Sequence, residues 1–197
     1  ELFELCNKNP KDYYTYLSLN TISKYFFTDE TIVNAYADND KLAKEFQLKL
    51  AENPTRIKAY LKYIESIFEN SEHIFLQSSL HKFKSYINLK TLKSIFKFPF
   101  SSLFKSMNSK NKELFNNSKT IQLFNRYATY NGSNPYEAPG TLNVIPHLEH
   151  NIGAFLPKNG MVAISRSVYN LAVELGAQFH FNTKVNEIKV ENKKVTG

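Results

Sequence analysis

Two histidines are the first residues of this chain whose type and spacing could do chemistry. His147 and His150 stand three residues apart with Glu149 between them. On a helix that spacing places both imidazoles on one face, where a zinc ion could be bound. A solvated helix end explains such a pair more often, and we predict no metal site. Cys6 is the only cysteine, and the absence of C-x-x-C and G-x-S-x-G patterns leaves dithiol and serine-nucleophile chemistry without support.

The glycines exclude a self-contained phosphate cradle. The sequence has six of them, and no three fit the spacing G-x-G-x-x-G. A Walker loop is absent as well. Both motifs bind phosphate because glycine lets the backbone N–H groups approach the ligand closely. A nucleotide or dinucleotide site formed by this chain alone is therefore not expected.

The strongest local signal is a basic segment, residues 73–112. It contains eight lysines and no acidic residue, whereas the whole chain has a net charge of +7. Lysines interleaved with Phe, Ile and Leu are typical of a surface that lies on an anionic membrane, and this interpretation is favoured over an ordinary surface helix pair. Contact with nucleic acid ranks third, because only three of the 25 basic residues are arginines, so we predict no nucleic-acid partner. The predicted membrane residues are Lys82, Lys84, Lys90, Lys93, Phe96, Lys97, Phe100 and Phe104.

Length and composition indicate that these residues belong to a globular chain. It has 197 residues, of which 42% are hydrophobic and 14% aromatic. That is enough for one sizeable core, and no run approaches the roughly 20 apolar residues of a membrane span. A single cysteine favours a reducing compartment. Both ends look cut, since the chain starts inside a helical pattern and stops just after a strand begins, so we expect an internal segment of a longer protein.

The hydrophobic pattern predicts strands first, then helices, then a mixed tail, which indicates an α+β fold. Expected strands are 13–19, 24–27, 31–36, 153–156 and 178–182, with a hairpin at 186–190 and 193–196. One expected helix begins after Asp38 or Asp40, and a second begins near Thr55. Three more are expected over 118–130, 141–150 and 161–175. Asn53-Pro54 and Asn131-Gly132-Ser133-Asn134-Pro135 provide breaks. The basic segment is expected to form two or three short amphipathic helices.

The last seventy residues carry a joint pattern of motifs. Asn134-Pro135-Tyr136-Glu137-Ala138-Pro139 is followed by Phe155-Leu156-Pro157-Lys158-Asn159-Gly160-Met161, then by Glu174-Leu175-Gly176 and Asn182-Thr183-Lys184-Val185. Together these motifs resemble the bacterial phytoene desaturase (phytoene dehydrogenase) family of FAD-dependent carotenoid oxidoreductases. Lys11-Asp12-Tyr13-Tyr14 and Lys24-Tyr25-Phe26-Phe27 also resemble that family. One departure is Asn159, where the family usually has the first glycine of Gly-Gly-Met.

The resemblance implies a Rossmann-like FAD domain that is split in sequence around a substrate domain, of which this chain is the middle portion. It implies FAD in the full-length protein and none in this segment alone. By the same resemblance Val185 contacts FAD through its backbone, and Gly160 lies at a cofactor-binding turn. Tyr25, Phe27, Tyr130 and Phe155 would line a tunnel for a polyene, with plain core packing as the alternative for each. Arg126 is the one polar candidate beside that tunnel, and no catalytic residue is assigned.

The predicted architecture is one internal substrate-binding domain, 1–197, with an antiparallel or mixed sheet and a helical, partly amphipathic lid. Strands occupy 1–37, the lid 38–151, and a strand–helix–strand and hairpin 152–197. The predicted function is substrate binding and membrane docking in a phytoene-type desaturase, which removes a hydride and a proton from a long isoprenoid. Alternatives are a related FAD oxidoreductase, such as a carotene ketolase, oxygenase or retinol saturase, or a non-enzymatic lipid-binding module. The expected location is the inner face of the cell membrane, peripheral and cytoplasmic, with the oligomeric state open.

Overall fold

The computed structural model describes residues 2–75 and 101–197, and it combines helices with small antiparallel sheets, which confirms the α+β prediction. The described strands are β1 (Tyr16–Ser18), β2 (Thr21–Phe26), β3 (Ile32–Tyr36), β4 (Phe155–Pro157), β5 (Val190–Glu191) and β6 (Lys194–Val195). The described α-helices are α1 (Leu2–Leu5), α2 (Asn39–Leu50), α3 (Pro54–Phe75), α4 (Ser101–Phe104), α5 (Met107–Leu114), α6 (Ser118–Asn125), α7 (Ile145–His147) and α8 (Val162–Glu174). Short 3-10 helices lie at Pro10–Asp12, Arg126–Asn131 and Gly140–Val144, and a π-helix at Leu148–Ile152.

The chain divides into two compact units. The larger one contains residues 18–155 and the smaller one residues 1–17 and 156–197. The chain passes between the units in β1 and β4, which pair as a two-stranded sheet. Each unit is formed by its own set of helices and hydrogen bonds.

The larger unit starts with the predicted hairpin. Strands β2 and β3 pair antiparallel, with Tyr25 opposite Val33. The polar turn between them places Glu30 in the left-handed region at φ +64°, a conformation that closes hairpin loops of this length. Val33 and Ala35 point into the core, as the two-residue period of a strand requires. The Glu45 carboxylate of α2 accepts hydrogen bonds from the backbone N–H and the side-chain amide of Asn34, both at 3.0 Å, and so ties the helix to the hairpin.

Helices α2 and α3 follow the predicted apolar periodicity. Asp38 caps α2, since its carboxylate accepts a hydrogen bond from the Lys41 N–H at 2.8 Å. The break at Asn53-Pro54 separates the two helices because proline is favoured in a first helical turn and excluded from a helix interior. Their apolar faces are buried in one core, which includes Leu42, Phe46, Ile57, Tyr60, Leu61 and Ile64.

An aromatic stack forms the centre of that core. The rings of Phe115 and Phe124 are stacked with centroids 4.9 Å apart, and Tyr60 packs against Phe124 at 4.3 Å. Because aromatic side chains bury large apolar areas, these contacts hold α3 and α6 together. The buried Tyr60 hydroxyl donates to Asn143 Oδ1 at 2.9 Å, which satisfies its polar atom.

The start of α6 is fixed by a buried carboxylate. Glu52 is only 1% exposed, and its Oε2 accepts hydrogen bonds from the backbone N–H groups of Asn116 and Asn117 at 3.0 Å each. Its Oε1 accepts another from the Asn53 N–H at 3.1 Å. Asn117 then caps α6 through the N–H groups of Lys119 and Thr120. This chain of bonds sets the position of α6 and of the residues that follow it.

The smaller unit is centred on α8. Ser167 and Leu171 are its buried residues, and Ser167 Oγ lies 3.1 Å from the Tyr13 carbonyl oxygen, to which it donates. Glu174 accepts from the Tyr13 hydroxyl at 2.7 Å and from Lys8 at 2.8 Å. Gly176 ends the helix at φ +91°, as predicted for the residue after a C-cap. The predicted terminal hairpin is confirmed in shorter form as the antiparallel pair β5 and β6.

Two sequence predictions were wrong in detail. Residues 178–182 form no strand, because no described segment pairs with them. The helix expected over 141–150 is a continuous succession of 3-10, α and π turns over 140–152 and not one regular α-helix. The helix predicted over 161–175 is present as α8, and most of its apolar side chains are exposed, including Val162 at 60% and Val173 at 45%. The short helices predicted for the basic segment lie largely outside the described residues.

Candidate functional site

Arg126 lies at the junction of two helices in the larger unit. Helix α6 ends at Asn125, and Arg126 opens the 3-10 helix Arg126–Asn131. Asn125 anchors this junction from inside, since its amide donates to Asn108 Oδ1 and its Oδ1 accepts from Asn111, both at 2.9 Å. All three asparagines are buried. The backbone that carries Arg126 is therefore held by interior hydrogen bonds.

Three tyrosines surround the Arg126 guanidinium. Its carbon lies 4.5 Å from the centroid of Tyr127, 5.2 Å from that of Tyr25 and 5.5 Å from that of Tyr130. Nη2 also donates to the Tyr25 hydroxyl at 3.0 Å. Guanidinium groups stack on aromatic faces because they are planar and weakly hydrated. The cation is thus held by rings from β2 and from the 3-10 helix.

The π-helix Leu148–Ile152 supplies the carboxylate and the imidazole of this group. Tyr127 donates to Glu149 Oε2 at 2.7 Å, Tyr130 donates to Glu149 Oε1, and Arg126 Nη2 lies 3.9 Å from Oε2. His150 Nε2 lies 3.0 Å from the Tyr127 oxygen. Short π-helical segments occur often at functional sites, since they shift side chains away from regular helical spacing. Tyr25, Arg126, Tyr127, Tyr130, Glu149 and His150 are called the Arg126 cluster below.

Hydrogen bonding and burial define the protonation of the cluster at neutral pH. Burial lowers the pKa of His150 to about 4, so this imidazole is neutral. Burial, with Tyr25 and Glu149 nearby, raises the pKa of Tyr127 far above its usual range, so its hydroxyl stays protonated. Because Tyr127 donates to Glu149, its oxygen accepts from the Nε2–H of His150. The Nδ1 of His150 is then a buried acceptor, and it has no partner in the described part of the chain.

The cluster combines one cation, one carboxylate and several hydroxyl groups at the edge of an aromatic core. Tyr130 is 56% exposed, whereas Tyr127 is fully buried, so the group runs from the interior to the surface. Such an arrangement can bind a ligand through the face of a ring and through a polar group at the same time. On the buried side, Tyr127 donates a hydrogen bond to Glu149 and accepts one from the neutral His150. These two bonds fix the position of the Glu149 side chain.

Of the five residues predicted to contact substrate, the structure brings three together. Tyr25, Arg126 and Tyr130 share the cluster. Phe27 instead packs against the core with the Lys119 ammonium 5.3 Å from its ring centroid. Phe155 lies in β4, where it is 47% exposed and its ring lies over Gly153.

The sequence did not point to Tyr127, Glu149 or His150 as members of this site. Their partners are far away in sequence, and the pair His147 and His150 was considered only as a metal site, which was not predicted. In the structure the two imidazoles have separate partners: His147 stacks on Phe68 at 4.5 Å and pairs with Asn151, and among the described residues no cluster of metal-ligating side chains is found. The spacing of Arg126, Tyr127 and Tyr130, within one helical turn, was the one available signal.

Gly160 and Val185 lie in the smaller unit. Gly160 closes the turn 157–160 at φ +74°, with its N–H donating to the Pro157 carbonyl at 3.0 Å. The left-handed conformation is therefore required of Gly160 and not of Asn159. Val185 is 70% exposed in a segment without helix or strand. Neither residue has a glycine-rich phosphate-binding loop beside it among the described residues.

Most residues predicted to contact a membrane lie outside the described ranges: Lys82, Lys84, Lys90, Lys93, Phe96, Lys97 and Phe100. Phe104 is described, at the end of α4, and it is 87% exposed. Among the described residues, no helix combines the length and the apolar character needed to cross a bilayer.

Comparison with known proteins shows which class of protein the chain resembles. No family model matches the chain, but curated homologues are carotenoid-modifying oxidoreductases, namely desaturases and oxygenases, which confirms the predicted resemblance. The chain spans about 38% of the length of these relatives.

The individual relatives match nearly the whole of this chain. A 1-hydroxycarotenoid 3,4-desaturase of Flavobacterium sp. (strain P99-3) is 39% identical over 93% of the chain. A 4,4'-diapophytoene desaturase (4,4'-diapolycopene-forming) of Methylomonas sp is 25% identical over 100% of the chain. A 4,4'-diaponeurosporene oxygenase of Staphylococcus aureus (strain bovine RF122 / ET3-1) is 26% identical over 100% of the chain, and the chain covers 39% of its length.

Proposed function

We propose that this chain is the substrate-binding segment of an FAD-dependent carotenoid desaturase. The observation that carries the proposal is the 39% identity to a 1-hydroxycarotenoid 3,4-desaturase over 93% of the chain. The reaction removes a hydride and a proton from neighbouring carbons of the polyene and leaves a new carbon–carbon double bond. We propose a hydroxylated acyclic carotenoid as substrate, because the relatives named for other carotenoids share only 25–26% identity.

The Arg126 cluster supports this role through its mixed character. A carotenoid is a long apolar chain, and exposed aromatic rings beside a core provide contact area for it with little loss of side-chain entropy. Tyr130 offers an exposed ring and Tyr25 a half-buried one, and Arg126 with Glu149 adds polar groups that could orient a polar end. Phe27 and Phe155 are proposed as further wall residues of the tunnel.

FAD is proposed to be bound mainly by other parts of a longer protein. The chain has no glycine-rich phosphate loop, and Gly160 and Val185 are exposed positions that another domain could cover. We propose that both contact the cofactor from this side, within a Rossmann-like arrangement of the whole enzyme.

Membrane docking is proposed for the basic segment. A substrate that dissolves in the bilayer must be collected there, and lysines near an anionic surface contribute about 1 kcal/mol each. Phe104 lies within this segment at the end of α4 and is exposed, so its apolar side chain can enter the headgroup layer. The proposed location is peripheral, on the inner face of the cell membrane.

The test is expression of the full-length reading frame in bacterial hosts that accumulate defined carotenoids. One host supplies an acyclic 1-hydroxycarotenoid and a second supplies the matching carotenoid without the hydroxyl. Pigment analysis by chromatography and mass spectrometry is expected to show a product two hydrogens lighter from the hydroxylated substrate. A product with added oxygen would instead support an oxygenase, which the similarity to the staphylococcal relative favours as the second candidate. No product and no bound flavin would reject the enzyme and leave a lipid-binding module.

A further inference from the structure

A cavity of about 440 Å³ lies beside the Arg126 cluster in the larger unit. Ten residues line it, and none of them is acidic. Two are cations, Lys112 and Arg126, and most of the others are amides or hydroxyls. The groups used below are Asn108, Lys112, Ser118, Gln122, Arg126 and Thr129.

The two cations have hydrogen-bonding capacity that the described residues leave unused. The Arg126 Nε–H is buried and has no acceptor among them. Lys112 makes no ion pair within the described ranges, whereas its neighbours Lys105 and Lys110 both pair with Glu113. A paired lysine is already neutralised, and Arg126 is partly balanced by Glu149, whose Oε2 lies 3.9 Å from its Nη2. The net positive charge of the cavity lining therefore comes mainly from Lys112.

The amide of Asn108 adds a buried donor. Its side chain is 8% exposed and lines the cavity, and its Oδ1 accepts the hydrogen bond from Asn125. The amide group that it can still offer to a ligand is therefore a donor. The hydroxyls of Ser118 and Thr129 and the amide of Gln122 surround the same space. Thr129 already donates its single hydroxyl proton to the Arg126 carbonyl, so it is not one of the donors available to a ligand.

We infer that this cavity binds a phosphate group. A phosphate carries negative charge and several acceptor oxygens, which match the Lys112 ammonium, the free Arg126 Nε–H and the amide and Ser118 donors of a lining that contains no carboxylate. The volume is sufficient for a phosphate ester. Lys112 is the last lysine of the basic segment 73–112, so a phospholipid headgroup would be met at this position if the segment lies on a bilayer. A soluble phosphate would satisfy the same groups, and the experiment below separates the two sources.

This inference adds a ligand that carotenoid conversion does not require, although it would strengthen the proposed membrane docking. Its test is a binding measurement in solution, so its failure is distinguishable from failure of the proposed enzyme. The full-length protein is titrated with inorganic phosphate and with glycerol phosphate by calorimetry. Its binding to vesicles of phosphatidylcholine, with and without phosphatidylglycerol, is measured by sedimentation.

Lys112→Gln is the test variant and Lys44→Gln the matched control, because both lysines are exposed on helices and make no described ion pair. Lys112→Gln is expected to weaken phosphate binding roughly fivefold, since one charge-assisted contact is lost, and Lys44→Gln to change it less than twofold. Competition of glycerol phosphate with vesicle binding would identify the lipid headgroup as ligand. Phosphate binding without such competition would identify a soluble phosphate. The inference is overturned if no soluble phosphate binds, or if the two variants behave alike.

Discussion

The substitution Glu52→Gln tests how the position of Arg126 is set. Glu52 carries no catalytic role, but its buried carboxylate holds the backbone at the start of α6, eight residues before Arg126 opens the next helix. Glutamine keeps the shape of the side chain and removes its charge. It also replaces one oxygen by an NH₂ group, which cannot accept a hydrogen bond.

The expected loss follows from the three hydrogen bonds that Glu52 accepts. The two bonds at Oε2 become neutral and weaken by about 1 kcal/mol each, and the Asn53 N–H loses its acceptor, for about 1 kcal/mol more. The lower desolvation cost of an amide offsets part of this. A net loss of about 2 kcal/mol in the local stability of α6 corresponds to ~30-fold faster amide exchange.

The assay is hydrogen–deuterium exchange of the full-length protein, followed in the peptide that covers residues 115–125. Glu30→Gln is the control, because Glu30 is an exposed turn residue of the same charge. The variant is expected to accelerate exchange in this peptide, with little change in α8. Equal exchange in Glu52→Gln and Glu30→Gln would refute the claim that this carboxylate positions α6.

Three further substitutions probe the cluster and a helix end. The His150 pKa of about 4 lies below its ordinary value, so its contribution to stability is complete above about pH 6.5 and is lost as the pH falls through 4, by up to about 3 kcal/mol. His150→Asn should flatten this part of a melting-temperature profile, and an unchanged profile would contradict the assignment. Tyr127→Phe removes the hydrogen bonds to Glu149 and His150 and should lower the free energy of unfolding, measured with denaturant, by about 1–2 kcal/mol. Tyr136→Phe changes an exposed ring and should lower it by less than ~0.5 kcal/mol. Equal losses in the two variants would argue against the buried hydrogen-bond network. Ala51→Gly relieves a left-handed alanine at φ +50° and should raise stability by about 0.5–1 kcal/mol, and a lower melting temperature would show that this conformation is not strained.

Turn residues, helix caps and apolar periodicity were sufficient to predict the hairpin of β2 and β3 and the helix α2, because neighbouring residues stabilise these elements. The hairpin of β2 and β3 has its turn residues and alternating pattern in sequence, and α2 has its cap at Asp38 and an uninterrupted apolar face. The strand expected at 178–182 failed because a strand needs a hydrogen-bonding partner, and sequence pattern alone does not supply one. The exposed face of α8 shows the same limit, since periodicity identifies an apolar stripe but not what covers it.

Only part of the candidate site was predictable, because some of its residues meet through contacts between distant parts of the chain. Tyr25, Arg126 and Tyr130 were identified through family resemblance, and the structure places them in contact. Glu149 joins them from the π-helix Leu148–Ile152, a deviation that regular helical spacing does not predict. The contacts of Tyr127 with Glu149 span 22 residues, and contacts of that range depend on how the whole unit folds.

The most direct test of the proposed function is the turnover of a 1-hydroxycarotenoid by the full-length protein with Arg126→Lys, measured against Arg166→Lys. Arg166 is an exposed arginine on α8, so its substitution controls for loss of a guanidinium elsewhere. Lysine keeps the charge of Arg126 but cannot stack on three rings while donating to Tyr25. We expect conversion by the unmodified protein, a loss of about tenfold or more in Arg126→Lys, and less than twofold change in Arg166→Lys. Equal turnover of the two variants would contradict a role for the Arg126 cluster in carotenoid conversion.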